Sequence, residues 1–239
     1  MLKAVLFDLG GTLVYRYTKF SELITLGHQA VVEYLFKKGY TLQIDEAVKV
    51  ANEIYGAYHT FTEKAYIELD FKIIYSAILS RLGVPDYSNE ELISGAITNF
   101  YSPIVSAYYI TNDVKEVLSK LKKKGLKLGL VTDNHSTDWA FHLLQKFELE
   151  PFFDSIVVSS QIGIRKPHKQ IFLHSLKTLH INNENSIFVG DSLSHDIQGA
   201  ENTGIKSVWL NRKRERQKPK TPKPHYEIKN LLELVDIIL

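Results

Sequence analysis

The chain has 239 residues, of which 44% are hydrophobic and 23% are charged, and its net charge of +2 is ordinary for a globular protein that buries a full core. It contains no cysteine, which excludes disulfides, thiol catalysis and thiolate metal sites, so any metal must be held by oxygen or imidazole ligands. Because no apolar run approaches the roughly 18 residues of a membrane span and the N-terminus shows no signal-peptide pattern, we expect a cytoplasmic protein without a membrane partner.

The first predicted element is a short strand, Ala4–Phe7, in which no polar residues alternate with apolar ones, so both of its faces are expected to be buried. Asp8 stands where this strand ends. Gly10 and Gly11 follow, and the absence of a Cβ lets the backbone turn tightly there and approach a bound group. Open α/β sheets bind ligands at the carboxyl ends of parallel strands, so the sequence predicts a site at Asp8.

Residues 15–106 change in character. Apolar residues recur at helical spacing in four segments, 21–38, 47–58, 67–82 and 89–100, and Pro103 is expected to interrupt the last of them. Because this region carries almost no strand signal, we predict a helical bundle at 15–106, inserted into a second domain formed by 1–14 and 107–239.

The second half of the chain alternates predicted strands and helices. Strands are predicted at 126–131, 155–158, 186–189 and 206–210, and helices at 113–124, 136–147, 168–180, 194–202 and 230–238. This alternation is typical of an α/β fold in which helices cover both faces of a parallel sheet. We therefore predict a doubly wound parallel sheet.

A basic segment lies near the end of the chain, at 212–223, with seven Lys and Arg residues against one acid. It contains prolines but no aromatic residues that would stack on bases. We interpret it as a solvated loop, and no nucleic-acid partner is expected.

Three of the predicted strands end at polar residues, which are Asp8, Thr132 and, after Gly190, Asp191. Neighbouring strands lie about 4.8 Å apart, so these ends can converge on one cleft. Two carboxylates in one cleft need a cation between them, and Mg²⁺ is the natural choice for oxygen ligands beside a phosphate site. Lys166, in a later loop, offers a fixed positive charge, and Thr132 offers a hydroxyl and nearby backbone N–H groups.

These residues resemble four ordered motifs of the haloacid-dehalogenase superfamily, which stand here as Asp8-Leu-Gly-Gly-Thr12-Leu13, Thr132, Lys166-Pro167 and Gly190-Asp191-Ser192-Leu-Ser-His-Asp196. The resemblance spans the predicted α/β domain. It implies a Rossmann-like core, with the helical insert as a cap domain that closes over the site and selects the substrate.

The resemblance implies a phosphatase of small phosphorylated metabolites, either monomeric or homodimeric. Asp8 would attack phosphorus and form an aspartyl-phosphate. Thr132 and Lys166 would hold the phosphoryl oxygens during this catalytic step, and Asp133 would belong to the same phosphate-binding group.

The resemblance also implies a metal site. Asp8, Asp191 and the backbone carbonyl of Gly10 would bind Mg²⁺, and Asp196 would orient metal-bound water or Lys166 from behind the ligands.

Two positions depart from the family's pattern. Phosphatases of this family usually carry a second aspartate two residues after the nucleophile, where it protonates the leaving group, but this chain has Gly10. Such a group typically contributes about 10²–10⁴-fold in rate, so either another residue such as His28, His59 or a cap carboxylate replaces it, the leaving group needs no proton, or turnover is slow. At the second position Asp133 stands where the family often has asparagine, and its charge near a phosphate is costly unless it points away or is protonated.

Two alternatives remain open from the sequence. One is a 2-haloacid dehalogenase, in which Asp8 attacks carbon without a metal. The dehalogenases of this family usually have a bulky aromatic residue two positions after the nucleophile and a serine in the second motif, so Gly10 and Thr132 disfavour this activity. The other is a protein with a degenerate site at Gly10 that binds a phosphorylated ligand without turnover.

Overall fold

The computed structural model of the protein describes residues 1–212 and 222–238, so most of the basic segment lies outside the described residues. The described strands are β1 (Ala4–Phe7), β2 (Tyr15–Arg16), β3 (Tyr108–Tyr109), β4 (Lys127–Thr132), β5 (Ser155–Val158), β6 (Ser186–Gly190), β7 (Lys206–Leu210) and β8 (Tyr226–Ile228). The described α-helices are α1 (Phe20–Lys37), α2 (Ile44–Ala65), α3 (Phe71–Arg81), α4 (Glu90–Ser106), α5 (Asn112–Lys123), α6 (Thr137–Lys146), α7 (Ser159–Ile162), α8 (Lys169–Leu179), α9 (Gln198–Thr203) and α10 (Leu232–Ile238).

The chain forms two compact units. The α/β unit comprises Met1–Tyr15 and Tyr109–Leu239, and the helical unit comprises Arg16–Tyr108. The short strands β2 and β3 pair with each other where the chain passes from one unit to the other. None of the described helices is long and apolar enough to cross a membrane.

The α/β unit contains a six-stranded sheet in the order β5-β4-β1-β6-β7-β8, and every described pairing in it is parallel. The predicted doubly wound parallel α/β fold is thereby confirmed. The strand order runs outward from β1 in both directions, with β4 on one side and β6 on the other. This reversal opens a crevice at the carboxyl end of β1, which is where open sheets place their ligands.

The core of this unit explains why β1 is wholly apolar and why its neighbours β4 and β6 are apolar over most of their length. Leu6 of β1 and Phe188 of β6 lie in one buried cluster with Ile171 and Phe172 of α8. The rings of Phe172 and Phe188 meet edge to face, with centroids 4.9 Å apart. Helices packed against the sheet thus leave the strand ends as the place where polar side chains reach a cleft.

The helical unit holds α1 to α4, with helices α1 and α4 in close contact. Gly27 permits this approach, since a Cβ at Gly27 would lie 2.5 Å from the ring of Phe100. Asp70 caps α3 by accepting a hydrogen bond from the backbone N–H of Lys72 at 2.8 Å, so this helix begins at Phe71 and not at 67 as the periodicity predicts.

The expectation that Pro103 interrupts the fourth helix is wrong, because α4 continues through it to Ser106. An interior proline removes the hydrogen bond to the carbonyl four residues earlier and crowds that carbonyl, at a cost of about 3 kcal/mol. Phe100 and Ile104 are almost completely buried on either side of it, and this packing outweighs the low helix propensity of proline.

The short helix α7 and the two-residue strands β2 and β3 were not predicted, and two longer elements also differ from the prediction. The helix expected at 194–202 begins as a π-helical turn, Leu193–Ile197, and becomes α-helical only at Gln198. The sheet also gains β8, which pairs with β7 and was not predicted.

Candidate active site

The nucleophile candidate Asp8 lies at the centre of the sheet's carboxyl edge. Phe7, the last residue of β1, is paired with Leu130 of β4 and Val189 of β6. The backbone N–H of Asp8 donates to the carbonyl of Val189 at 3.0 Å, which extends the pairing by one step. The neighbouring strands end within two residues of this pair, β4 at Thr132 and β6 at Gly190, and Asp191, the residue after β6, lies close to Asp8.

Three carboxylates converge there. Asp8, Asp191 and Asp196 each offer an oxygen, and these oxygens all lie within 4.8 Å of one another. Asp8 and Asp196 are buried, whereas Asp191 is exposed.

A single lysine bridges two of these acids. The ammonium of Lys166 donates to Oδ1 of Asp8 at 2.6 Å and to Oδ1 of Asp196 at 2.7 Å. The Lys166 side chain is only 3% exposed. The lysine that the sequence places in a distant loop therefore lies between the nucleophile candidate and the acid of the last motif.

The electrostatics of the site favour a bound cation. Burial raises the pKa of Asp8, with Lys166 opposing the rise and Asp196 adding to it. Asp191 is exposed as a residue, but its carboxyl packs against the loop at Gly11, and desolvation there, followed by the charges of Asp8 and Asp196, raises the pKa of Asp191 to about 7. Burial alone would lower the pKa of Lys166, but Asp196 and Asp8 outweigh it and keep the ammonium charged. Among the described residues, one ammonium faces these three carboxyls, which leaves an excess of negative charge at the site.

This donor set suits a divalent cation with oxygen ligands. Carboxylate oxygens are the ligands that Mg²⁺ prefers, and the chain has no cysteine to offer instead. The pKa of Asp191 is raised by desolvation and by the neighbouring acids more than Lys166 lowers it, and a bound cation would offset this excess of negative charge.

The two glycines after Asp8 have different surroundings. Gly11 has a φ of +85°, and a Cβ there would lie 2.1 Å from Oδ2 of Asp191, so both conformation and space require glycine. A Cβ at Gly10 would meet no described atom within 4 Å.

Thr12 completes the loop. Its side chain is fully buried, and its hydroxyl donates to Oδ2 of Asp8 at 3.0 Å. Both oxygens of Asp8 thus accept hydrogen bonds, Oδ1 from Lys166 and Oδ2 from Thr12, and the backbone N–H of Leu9 also donates to this carboxylate. Thr12 lies inside the first motif, yet sequence reasoning assigned it no role.

Asp196 lies in the π-helical turn, and its Oδ1 accepts the hydrogen bond from Lys166. Oδ2 of Asp196 accepts a hydrogen bond from the backbone N–H of Ser192 at 2.9 Å, so protein donors engage both carboxylate oxygens. A Cβ at Gly190 would lie 2.4 Å from the Asp196 carboxyl carbon, which explains the glycine there. π-Helical turns occur preferentially at functional sites.

Trp209 of β7 is a second residue that the sequence reasoning missed. Its indole N–H donates to the backbone carbonyl of Asp191 at 2.9 Å. No local pattern distinguishes this tryptophan from a core residue, because its contact depends on the β6–β7 register.

Asp133 points towards the protein and not into an open cleft. Its Oδ1 accepts a hydrogen bond from the backbone N–H of Lys166 at 3.0 Å, which ties the end of β4 to the lysine loop. Burial raises the pKa of Asp133, and the charges of Lys166 and Arg165 oppose this. Thr132, the last residue of β4, is 4% exposed.

The histidines considered as replacement acids lie in the helical unit. His28 is buried among the rings of Tyr55, Tyr75 and Phe100, and its Nδ1 lies 3.3 Å from the Tyr75 hydroxyl. Burial lowers the pKa of His28 to about 4, which describes a neutral core histidine. His59 is exposed, and its Nε2 lies 4.0 Å from Oε1 of Glu63 one turn later.

Comparison with known proteins adds to this geometry. A family model described as haloacid dehalogenase-like hydrolase matches residues 5–210. A glyceraldehyde 3-phosphate phosphatase from Methanocaldococcus jannaschii is 29% identical over 246 residues, which cover 100% of this chain and 97% of the relative.

Solved structures show the same fold. A HAD phosphatase from Thermococcus onnurineus is similar with a TM-score of 0.64 and 25% identity, covering 99% of this chain and 98% of its own. A 2-haloacid dehalogenase from Pseudomonas syringae is similar with a TM-score of 0.72, but at 21% identity over 100% of this chain and 98% of its own it supports the fold alone.

Proposed function

The chain belongs to the haloacid dehalogenase-like hydrolases, and we propose that it hydrolyses phosphate monoesters of small metabolites with Asp8 as the nucleophile. The observation that carries the proposal is the Asp8 carboxylate, held by Lys166 and Thr12 and within 4.8 Å of Asp191. This arrangement presents an oriented anion beside a fixed ammonium and an acidic pair suited to a cation.

The proposed reaction has two steps. The Asp8 carboxylate attacks phosphorus, the bond from phosphorus to the leaving oxygen breaks, the leaving oxygen takes a proton from solvent, and an aspartyl-phosphate forms. Water then attacks phosphorus and gives up a proton to solvent, the bond between phosphorus and the Asp8 oxygen breaks, and inorganic phosphate leaves. Asp8 regains its carboxylate and can act again.

The surrounding residues lower the cost of bringing two anions together. We assign the phosphoryl oxygens to the Lys166 ammonium, the Thr132 hydroxyl and the backbone N–H groups near Asp133. The Asp133 carboxyl keeps the Lys166 loop in place, and Asp196 holds the Lys166 side chain from the other side. Asp8, Asp191 and the Gly10 carbonyl would hold Mg²⁺. When bound, this ion supplies positive charge that offsets the negative charge of the phosphoryl group.

Three-carbon phosphorylated aldehydes are the first substrate class to test, because the full-length relative is named a glyceraldehyde 3-phosphate phosphatase. The assay is phosphate release with Mg²⁺ from glyceraldehyde 3-phosphate, other sugar phosphates, phosphoglycolate, nucleotides, an aryl phosphate and acyl phosphates. We expect Asp8→Asn to abolish release. Absence of phosphate release from the whole panel would contradict the proposal, and metal-independent chloride release from a 2-haloacid would favour the dehalogenase reaction.

The variant Gly10→Asp tests the proton donor in the same assay. It is suited to this purpose because no described atom lies within 4 Å of a Cβ at Gly10. If protonation of the leaving group limits the wild type, Gly10→Asp accelerates alkyl-ester hydrolysis within the range of about 10²–10⁴-fold. Acyl phosphates serve as the matched control, since their leaving carboxylate needs no proton and their rate should not change.

A further inference from the structure

The loop that presents Asp8 ends at Tyr15, and Tyr15 is clamped by Arg212, the first residue of the basic segment. The guanidinium carbon of Arg212 lies 4.4 Å from the centroid of the Tyr15 ring. The ring of Tyr109 lies near the same tyrosine, with 5.7 Å between centroids. The proposed reaction assigns no role to either Tyr15 or Arg212.

Arg212 is itself anchored at two places. Its Nη2 donates to Oδ2 of Asp113 at 3.3 Å and to the Thr111 hydroxyl at 3.4 Å, both at the start of α5. The same Asp113 oxygen accepts the backbone N–H of Leu231 at 3.3 Å. A planar guanidinium that stacks on a ring while its edge is hydrogen-bonded has a fixed orientation, which a lysine cannot reproduce.

Two hydrogen bonds connect the Tyr15 hydroxyl to Asp8, and both involve Thr12. It donates to the backbone carbonyl of Thr12, and the Thr12 hydroxyl donates to Oδ2 of Asp8 at 3.0 Å. The backbone N–H of Thr12 has only a long bond, 3.4 Å to the Leu9 carbonyl, whereas the N–H groups of Leu13 and Val14 bond the same carbonyl at 2.9 Å. The Tyr15 hydroxyl adds a side-chain bond to the Thr12 carbonyl itself. Threonine is β-branched with few side-chain rotamers, and its hydroxyl therefore follows its backbone.

We propose that Tyr15, held by Arg212, is a positioning residue that fixes the Thr12 backbone and thereby the orientation of the Asp8 carboxylate for attack. Burial raises the pKa of Tyr15, with Arg212 opposing the rise, so the hydroxyl remains a donor at neutral pH. This inference rests on the proposed function only in using Asp8 as the nucleophile.

The test compares Tyr15→Phe with Tyr40→Phe. Tyr15→Phe removes the hydroxyl and keeps the ring under Arg212, and Tyr40→Phe removes a tyrosine hydroxyl that donates to Asp86 in the helical unit at 2.7 Å. Misplacement of a reacting group by about 1 Å costs on the order of 100-fold, so we expect kcat of Tyr15→Phe to fall about 10–100-fold with KM changed less than about twofold. Tyr40→Phe should retain both constants.

A second readout does not depend on turnover. Beryllium fluoride with Mg²⁺ mimics a phosphoryl group on an aspartate, and its binding is followed by ¹⁹F NMR. We expect Tyr15→Phe to bind it about tenfold or more weakly than the wild type, and Arg212→Lys to weaken binding as well, because the ammonium lacks the planar stack. If Tyr15→Phe does not fold, Arg212→Lys carries the comparison.

The outcomes separate the two proposals. A wild type that neither hydrolyses phosphates nor binds beryllium fluoride contradicts the proposed function. An active wild type with kcat and beryllium fluoride affinity unchanged in Tyr15→Phe overturns the positioning role, and so does a variant that loses only thermal stability. A Thr12→Val background supplies the final check, because Tyr15→Phe should have no further effect on kcat there if it acts through the Thr12 hydroxyl.

Discussion

Replacing Lys166 with methionine should strongly destabilise the α/β unit in the absence of metal. The ammonium is 3% exposed and holds Asp8 and Asp196 at 2.6 and 2.7 Å, so its removal leaves two buried carboxyls without a counter-charge. Breaking a buried ion pair from one side costs about 3–5 kcal/mol. For a chain of this size each kcal/mol lowers Tm by about 2–4 °C, which gives a fall of about 6–20 °C.

The assay is thermal unfolding followed by circular dichroism in a chelating buffer, with Lys169→Met as the matched control. Lys169 is an exposed lysine at the start of α8, and its replacement should change Tm by no more than about 2 °C. The double variant Lys166→Met with Asp196→Asn should recover part of the loss, because it removes one of the unpaired acids. A Lys166→Met protein as stable as Lys169→Met would refute the reasoning.

The sign of the pH dependence gives a further check on the same variant. Without Lys166 the pKa of Asp8, already raised by burial, rises further above that of the unfolded chain. A carboxyl with a raised folded pKa destabilises the fold as pH rises above its unfolded pKa of about 3.9, so the Tm deficit should be larger at pH 8 than at pH 5. A deficit that grows towards acid pH would contradict this assignment of the charges.

Three other predictions concern the metal site and the helical unit. Gly11→Ala should weaken Mg²⁺ binding about 10–100-fold, because the added Cβ would displace the Asp191 carboxylate. Gly125→Ala is the control for backbone strain, since Gly125 has a φ of +76° and open space around it. Binding is followed by the fluorescence of Trp209 in a Trp139→Phe background. Mg²⁺ affinity should rise between pH 6 and 8, since the cation must displace the proton of Asp191, whose pKa is about 7; a flat calorimetric titration series would contradict this. The folded-state pKa of His28 is about 4, so stability should fall by about 2–4 kcal/mol as pH drops from 6.5 to 4, and His28→Gln should flatten this slope in urea unfolding.

The sequence predicts the convergence of Asp8, Thr132 and Asp191 because it depends only on parallel strands ending at one edge. Each residue follows an apolar strand, and adjacent strands in such a sheet are one hydrogen-bonded spacing apart. The structure pairs β1 with both β4 and β6, which brings the oxygens of Asp8 and Asp191 within 4.8 Å.

The contacts of Lys166 with Asp8 and Asp196 cannot be predicted from where the strands end. Lys166 lies in a loop, whose path no hydrophobic period determines, and Asp196 reaches it from a π-helical turn that periodicity reads as ordinary helix. The same limit applies to Pro103, where local propensity predicts a break and the burial of Ile104 keeps the helix intact.

The two adjacent glycines differ in whether the described structure around them requires a glycine. Gly11 is dictated by shape, since its φ is positive and a Cβ would overlap the Asp191 carboxylate. Gly10 has no described atom within 4 Å of such a Cβ, so packing against the described residues gives no reason for glycine there. Position 10 can therefore accept an aspartate without displacing a described group, so Gly10→Asp, measured on esters and acyl phosphates together, tests the role of this position in the reaction and leaves the contacts that hold Asp8 in place.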